Sequence, residues 1–345
     1  QFPFQVIVWV FVSNRDSQLH SENCCIITEP KQGEALYLKR SKYLSEHKGS
    51  EKAFDHQRRR VVYQRYAAID NYRRLIAAIL PAGYFCSHTV GYLTNVEDRA
   101  LEFLLALLNS KLLDWRFNLT STNNNINGYE VEALPIPRIH FTTPEAERER
   151  LVADLIARYE RGEHTALLAA VEALLPKDAA GEFLAFRPGA TGAEEKSDVV
   201  HDLLAHLAAQ MIELHKQKQA RVAAFWDDLE AVTDASDFET LRNKGKWEQS
   251  LAKDAACAPY VNPDSRSTRT LDESLGWHAA CYTAFIGLLV GTSAVTPAVA
   301  GVYDVHAPAY SALVARIAAT DRLIDEIVYR LYGLTEEEIA VVEGG

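Results

Sequence analysis

The chain has 345 residues, 48% of them hydrophobic and 24% charged, which suffices for two domains or one large one and, without low-complexity tracts, excludes global disorder. Its five cysteines (Cys24, Cys25, Cys86, Cys257, Cys281) form no CxxC pair, which argues against a zinc knuckle or a disulfide framework and fits a reducing cytoplasm. The net charge of −11 discourages a nucleic-acid reading of the whole chain, yet residues 31 to 80 hold 12 Lys and Arg against 5 Asp and Glu, and the rest carries a net −18. A basic module inside an acidic chain suits phosphate contact, although a solvated basic face gives the same count.

Taken in order, the chain opens on Gln1 and an apolar run from Phe2 to Val12 without a basic leader or a small-residue cleavage site. This reads as a chain cut in mid-protein rather than a signal peptide, and residues 1 to 30 stay unassigned as the remnant of an upstream segment. Residues 31 to 140 read as mixed α/β. Arg60 to Tyr66 is β-branched and aromatic, a strand, and Leu75 to Leu80 is a second, ended by Pro81, Ala82 and Gly83. Glu97 to Phe117 places Leu101, Leu104, Leu105, Leu108, Leu112 and Trp115 at helical spacing. Asn109 and Ser110, near the end of an apolar helix, are better suited to satisfying backbone groups and fixing the loop than to reading bases. Asn118 to Gly128 is a polar loop, and Leu134-Pro135-Ile136-Pro137 stiffens its exit.

After Pro137 the pattern turns helical. Thr143 is read as an N-cap with Pro144 at the first helical position of a charged amphipathic run to about Arg161. A longer helix spans Glu194 to Val232, with Val200, Leu204, Leu207, Met211, Leu214, Val222, Phe225 and Leu229 forming a stripe for a neighbouring helix; a spacer or partner surface is the other use of such length. Residues 274 to 303 carry no Asp, Glu, Lys or Arg and are long enough to cross a bilayer. The acidic flanks Asp272, Glu273 and Asp304, together with Gly287, Gly291 and Pro297, favour a buried soluble segment and no membrane partner. Pro308 to Tyr332 reads as a helix with Leu313, Ile317, Leu323, Ile324, Ile327, Val328 and Leu331 inward. Gly333 suits its C-terminus, and Thr335 to Glu338 fits a capping box that opens a last short helix. The expected fold is α+β: a mixed α/β domain over 31 to 140, then a mainly α-helical region over 141 to 345.

Chemistry-bearing motifs are missing. There is no GxGxxG, no GxxxxGKS/T and no HExxH. Asn262-Pro263-Asp264 lacks the second Pro and the aromatic ring of an adenine methylase's Asn-Pro-Pro-Tyr signature, so it reads as a turn. His201-Asp202 and His278 sit on helical patterns as structural histidines. No catalytic residue and no metal ligand is assigned.

Two stretches, Arg58 to Arg65 (RRRVVYQR) and Arg73 to Gly83 (RRLIAAILPAG), resemble the start of a target-recognition domain in type IIG restriction-modification enzymes and related N6-adenine-specific DNA methyltransferases. Leu104 to Trp115 (LLALLNSKLLDW), followed by Leu134-Pro135-Ile136-Pro137, is similar in order and spacing to the same family's helix and closing motif. Ile317 to Thr335 resembles its C-terminal signature, and the likeness also takes in residues 195 to 230; residues 233 to 305 match nothing. The resemblance implies an upstream catalytic domain of the same polypeptide that binds S-adenosylmethionine, often with a nuclease domain, and neither is encoded here. This chain is then expected to hold no cofactor, to be inactive alone, and to have double-stranded DNA as its partner. Arg58, Arg59, Arg60, Arg65, Arg73 and Arg74 are the expected phosphate contacts, and Gln64, Asn123, Asn124, Asn125 and Asn127 the expected base readers, since short amides bond adenine edges bidentately. A helical protein-interaction scaffold of a phage-exclusion complex is the competing reading, based on the acidic helical half. A stand-alone enzyme of unknown chemistry is a third.

Overall fold

A computed structural model describes residues 23–27, 36–69, 71, 73–86, 89–93, 96, 101–175, 195–232, 257, 282 and 296–344. The opening apolar run, the start of the predicted helix at 97–100, the Asn262-Pro263-Asp264 tripeptide, His278 and most of 233–305 lie outside the described residues. The fold is α+β. The chain divides into two compact units, one comprising Gln1–Ile212 with Thr320–Gly345 and the other Glu213–Ala319. The helices that follow Pro137 up to Ile212 therefore share a unit with the strands before it.

The first unit holds two three-stranded sheets. In one, β1 (Asn23–Ile27) pairs antiparallel with β2 (Leu36–Lys39) and parallel with β5 (Phe85–Cys86). Helix α1 (Arg40–Glu46) follows β2 directly, and a 3₁₀ turn, Glu51–Gln57, leads to the second sheet. That sheet is antiparallel, with β3 (Arg60–Gln64) between β4 (Ala77–Leu80) and β6 (Val90–Tyr92). Val62, Ile76, Ala78 and Leu80 form a buried cluster on one face with Tyr84, Val90 and Tyr92 against it. Val61 and Tyr63 point the other way by strand alternation and are equally buried, so β3 is covered on both sides and reads as an unbroken apolar run. Gly91 stands opposite Tyr63 in the ladder, where a Cβ would overlap the Tyr63 ring. Only glycine lets the two strands close over that phenol.

Both predicted strands exist, shortened by specific competitors. β3 stops at Gln64 rather than Tyr66, because Tyr66 pairs with Asn125 in an isolated bridge. β4 begins at Ala77 rather than Leu75, because the backbone N–H groups of Arg74 and Leu75 donate to Asp114 Oδ1 at 3.0 and 2.7 Å.

The predicted helix to Phe117 is two helices, α2 (Leu101–Leu108) and α3 (Lys111–Asn118). The break falls on Asn109 and Ser110, and both satisfy backbone groups as expected. Asn109 Oδ1 accepts from Ala77 N at 2.9 Å and its Nδ2 donates to Ala77 O at 3.0 Å, so one side chain takes the place of a strand neighbour on β4. Ser110 Oγ caps α3 by accepting from Leu113 N at 3.3 Å. α2 packs across β3 and β4. A short helix α4 (Gly128–Glu132) ends the polar loop.

From Glu145 every described element is a helix. α5 (Glu145–Glu160) begins one residue later than predicted, with Pro144 at the cap and Arg148 N donating to Pro144 O at 2.9 Å. Thr143 does not cap it; its N–H and hydroxyl donate to the buried Asp198 at 2.8 and 2.7 Å. α6 (His164–Leu174) follows. α7 (Ser197–Val232) buries the whole expected stripe, from Val200 through Met211 to Phe225 and Leu229. α8 (Pro297–Tyr332) runs through Pro308 instead of starting there, with Val302, Ala307 and Tyr310 buried on both sides of the proline; Pro297 takes the first-turn position. Ile317, Leu323, Ile324, Ile327, Val328 and Leu331 are buried as expected and Leu313 is half-buried. Gly333 ends α8 at φ 67°, and Thr335 with Glu338 forms the capping box of α9 (Glu336–Gly344): Thr335 N donates to Glu338 Oε2 at 2.9 Å and Glu338 N to Thr335 Oγ1 at 3.3 Å.

Within the first unit, α8 and α9 grip the front half. Lys111 N donates to Asp325 Oδ1 at 2.8 Å, Lys111 Nζ to Glu343 at 2.6 Å, and Tyr332 Oη to Pro135 O at 2.7 Å. In the second unit, Phe225 meets Trp226 and His306 edge-on, and His306 Nε2 lies 2.8 Å from Asp228 Oδ2.

Candidate nucleic-acid interface

The expected phosphate set divides by burial. Arg60, Arg73 and Arg74 lie inside the unit, which corrects their assignment to phosphate. Arg60 lies over the Tyr92 ring at 4.9 Å and donates to Tyr84 O at 2.6 Å. Arg73 donates to the Asn109 carbonyl. Arg74, 1% exposed, stacks over Phe117 at 5.2 Å and spreads its guanidinium over Asn118 Oδ1, Ser121 O, Ser121 Oγ and Asn123 O at 3.3, 3.0, 3.1 and 2.5 Å. The planar five-donor fork makes this possible, and Asp114 beside it supplies the compensating charge. Burial pushes the Asp114 carboxyl above its usual range, opposed by the Leu75 N–H, Arg73 and Arg74. Arg58, Arg59 and Arg65 are exposed, with Arg59 paired to Glu102.

The asparagine loop rests on Arg74 and is stitched to the exit of β3. Ile126 N donates to Arg65 O at 2.9 Å and Ala67 N to Asn124 O at 2.9 Å, while Ile126 itself is fully buried. The loop is therefore built into the sheet although it lies outside every helix and strand. Its amides have different employments. Asn124 Oδ1 accepts from Ile69 N at 3.1 Å, and Asn123 Oδ1 from Asn125 N at 2.8 Å, an Asx turn. Asn127 caps α4, its backbone N and Nδ2 donating to Glu130 Oε2 at 2.8 and 2.9 Å. Burial raises the Glu130 carboxyl, but the hydrogen bonds from Asn127 and Ser121 outweigh it and hold the group below its usual range. Gln64 is half-buried and donates to Arg74 O at 3.3 Å. Gln64 and Asn127 thus serve the fold. Asn123, Asn124 and Asn125 remain exposed, and the Asn125 side chain meets no hydrogen-bonding group among the described residues.

Three residues that the sequence reading did not assign to the interface are exposed large side chains next to the loop: Tyr66, Ile69 and Tyr129, exposed by 59%, 57% and 69%. Tyr66 had been absorbed into the strand pattern, and no periodicity marks it as outward. Tyr66 and Ile69 meet the loop at Asn124, and Tyr129 meets it at Asn127.

No protein family, no curated protein and no solved structure matches the chain. Among the described residues no helix is long and apolar enough to cross a membrane, and no group of three or more His, Cys, Asp or Glu is placed to hold a metal ion.

Proposed function

We propose that this chain reads the sequence of duplex DNA as the target-recognition and helical C-terminal part of an adenine-specific DNA methyltransferase of the type IIG kind. The observation that carries the reading is the row Asn123–Asn125, exposed and fixed through its backbone to the residues that follow β3, Arg65 and Ala67, the first of them exposed. Base reading needs short amides held in one register, since a bidentate pair to adenine tolerates little motion; guanidinium groups nearby supply the phosphate contacts that set orientation. Arg65, whose carbonyl holds Ile126, takes that role beside the loop, and Arg58 is exposed beyond the other end of β3.

The segments that resemble this family also meet in space, which supports treating them as one module: α3 is held by Asp325 of α8, and the Leu134–Pro137 motif by Tyr332. Methyl transfer and S-adenosylmethionine then belong to the upstream domain of the same polypeptide, in the cytoplasm. The test is selection from a randomised duplex pool. One enriched sequence is expected, altered by Asn125→Ala, with discrimination at one position falling by about 1–3 kcal/mol. A pool left unenriched at low salt overturns the reading.

A further inference from the structure

We propose that Ser121 and Glu130 are positioning residues for the row Asn123–Asn125: they close the neck of the asparagine loop and so set the register in which its exposed amides meet DNA. The inference rests on the DNA reading proposed above and adds the groups that fix its specificity. Ser121, 4% exposed, stands at the entry of the loop, and its hydroxyl is held from two sides. Its Oγ accepts from Arg74 Nη2 at 3.1 Å, and its O–H donates to the Glu130 carboxylate. Glu130, on α4 past the exit of the loop, also accepts from Asn127 N and Nδ2 at 2.8 and 2.9 Å. The bond between Ser121 and Glu130 therefore ties the two ends of the loop together, with the three exposed asparagines between them.

A hydroxyl has one proton to give and lone pairs to accept with, so Ser121 serves a cation on one side and an anion on the other at once. Both bonds are charge-assisted. On the entry side the same guanidinium takes the Ser121 and Asn123 carbonyls at 3.0 and 2.5 Å, and on the exit side the same carboxylate takes the Asn127 donors. Ser121 joins these two anchors. Without its hydroxyl each end stays attached but the two are uncoupled, and short amides pass the freedom of their backbone directly to their polar atoms. A bidentate pair to a base edge tolerates little such motion, whereas a phosphate contact carries no sequence information. The bond therefore governs which sequence is preferred and leaves non-specific affinity alone.

The experiment makes two measurements on the full chain carrying Ser121→Ala, Glu130→Ala or Glu130→Gln. One is selection from a randomised duplex pool; the other is hydrogen exchange of the Ile126 and Ala67 amides, which donate to Arg65 O and Asn124 O and report the attachment of the loop. Both alanine variants should speed exchange at these two amides about tenfold and leave the amides of β3 and β4 as they were. Each should also lower discrimination about tenfold at the position that Asn125→Ala alters, with the salt slope unchanged. Glu130→Gln, whose oxygen and amide nitrogen can bond Asn127 and Ser121 together, should match the unmodified chain in both measurements. Thermal melting of each variant confirms that it is folded. A merely structural role would weaken binding to all sequences alike or speed exchange throughout the sheet, and either result overturns the inference, as does an unchanged preference in the two alanine variants. If the unmodified chain enriches no sequence, the DNA reading itself fails, and the exchange rates then decide whether Ser121 and Glu130 hold the loop.

Discussion

Two polar stretches of this chain look alike in sequence and differ in where their polar groups go. Arg73–Arg74, with Asp114 and Asn109, directs its charges and amides inward: the hydrogen bonds described for these four side chains end on the backbone, on the buried Ser121 or on Asn118 at the end of α3. Arg65 to Ile69, with Asn123 to Asn125, is pinned through its backbone and leaves side chains in solvent. A guanidinium with five donors can replace a strand of missing partners, so arginine density beside a sheet measures how much irregular backbone must be satisfied as readily as it measures a phosphate surface.

The largest expected effect tests the inward half. Arg74→Ala leaves Asp114 buried with less compensation and the Ser121 and Asn123 carbonyls without their donor, so unfolding free energy should fall by about 3–5 kcal/mol. Arg58→Ala should change it by less than about 0.5 kcal/mol. Urea melts of the two variants decide, and equal losses would erase the contrast.

Asp325 extends the inward pattern to α8. It is 2% exposed, and burial first, then the like charge of Asp321, pushes its carboxyl up to about 7 against the opposing Lys111 N–H, Arg73 and the Lys111 charge. Glu343 and the Tyr329 hydroxyl complete the surroundings through Lys111 Nζ and each other. A carboxyl raised in the folded state contributes stability that is complete below its unfolded value near 3.8 and lost as pH rises through about 7. Stability should therefore decline across that window by up to about 4 kcal/mol from this group. Asp325→Asn, which still accepts the Lys111 N–H, should flatten the decline in denaturant melts collected from pH 4 to 8. An unchanged slope would mean that Asp325 is ionised throughout.

A smaller effect belongs to the sheet beneath both regions. Gly91→Ala forces the Tyr63 ring aside and should cost about 1–3 kcal/mol, read as a lower melting temperature. Should the ring shift freely, the variant will melt with the parent, and the Gly91–Tyr63 contact is then not a tight one.

Periodic features were legible in the sequence because they depend on neighbours a few residues away. The α7 stripe is buried throughout, and the Gly333 stop and the Thr335–Glu338 box form as their spacing suggests. What sequence hid depends on distant partners. The helix break at Asn109 exists because Ala77 on β4 claims its amide, and β4 starts late because Asp114 takes two backbone donors. The same holds for the candidate interface. The asparagine loop was visible as a cluster, but which amides it consumes is set by Ile69, Glu130 and Arg74, and the outward turn of Tyr66 by its pairing with Asn125. The compact division at Ile212 and Ala319 falls inside two continuous helices, where composition carries no mark.

The most direct test of the outward face is titration of labelled duplex with the full chain at several salt concentrations. Binding should weaken as salt rises, and Arg58→Ala and Arg65→Ala should each reduce the slope by about one, while Arg60→Ala, if folded, leaves the slope as it was. Salt-independent binding, or none, would contradict the account and leave the helical scaffold as the better reading of this chain.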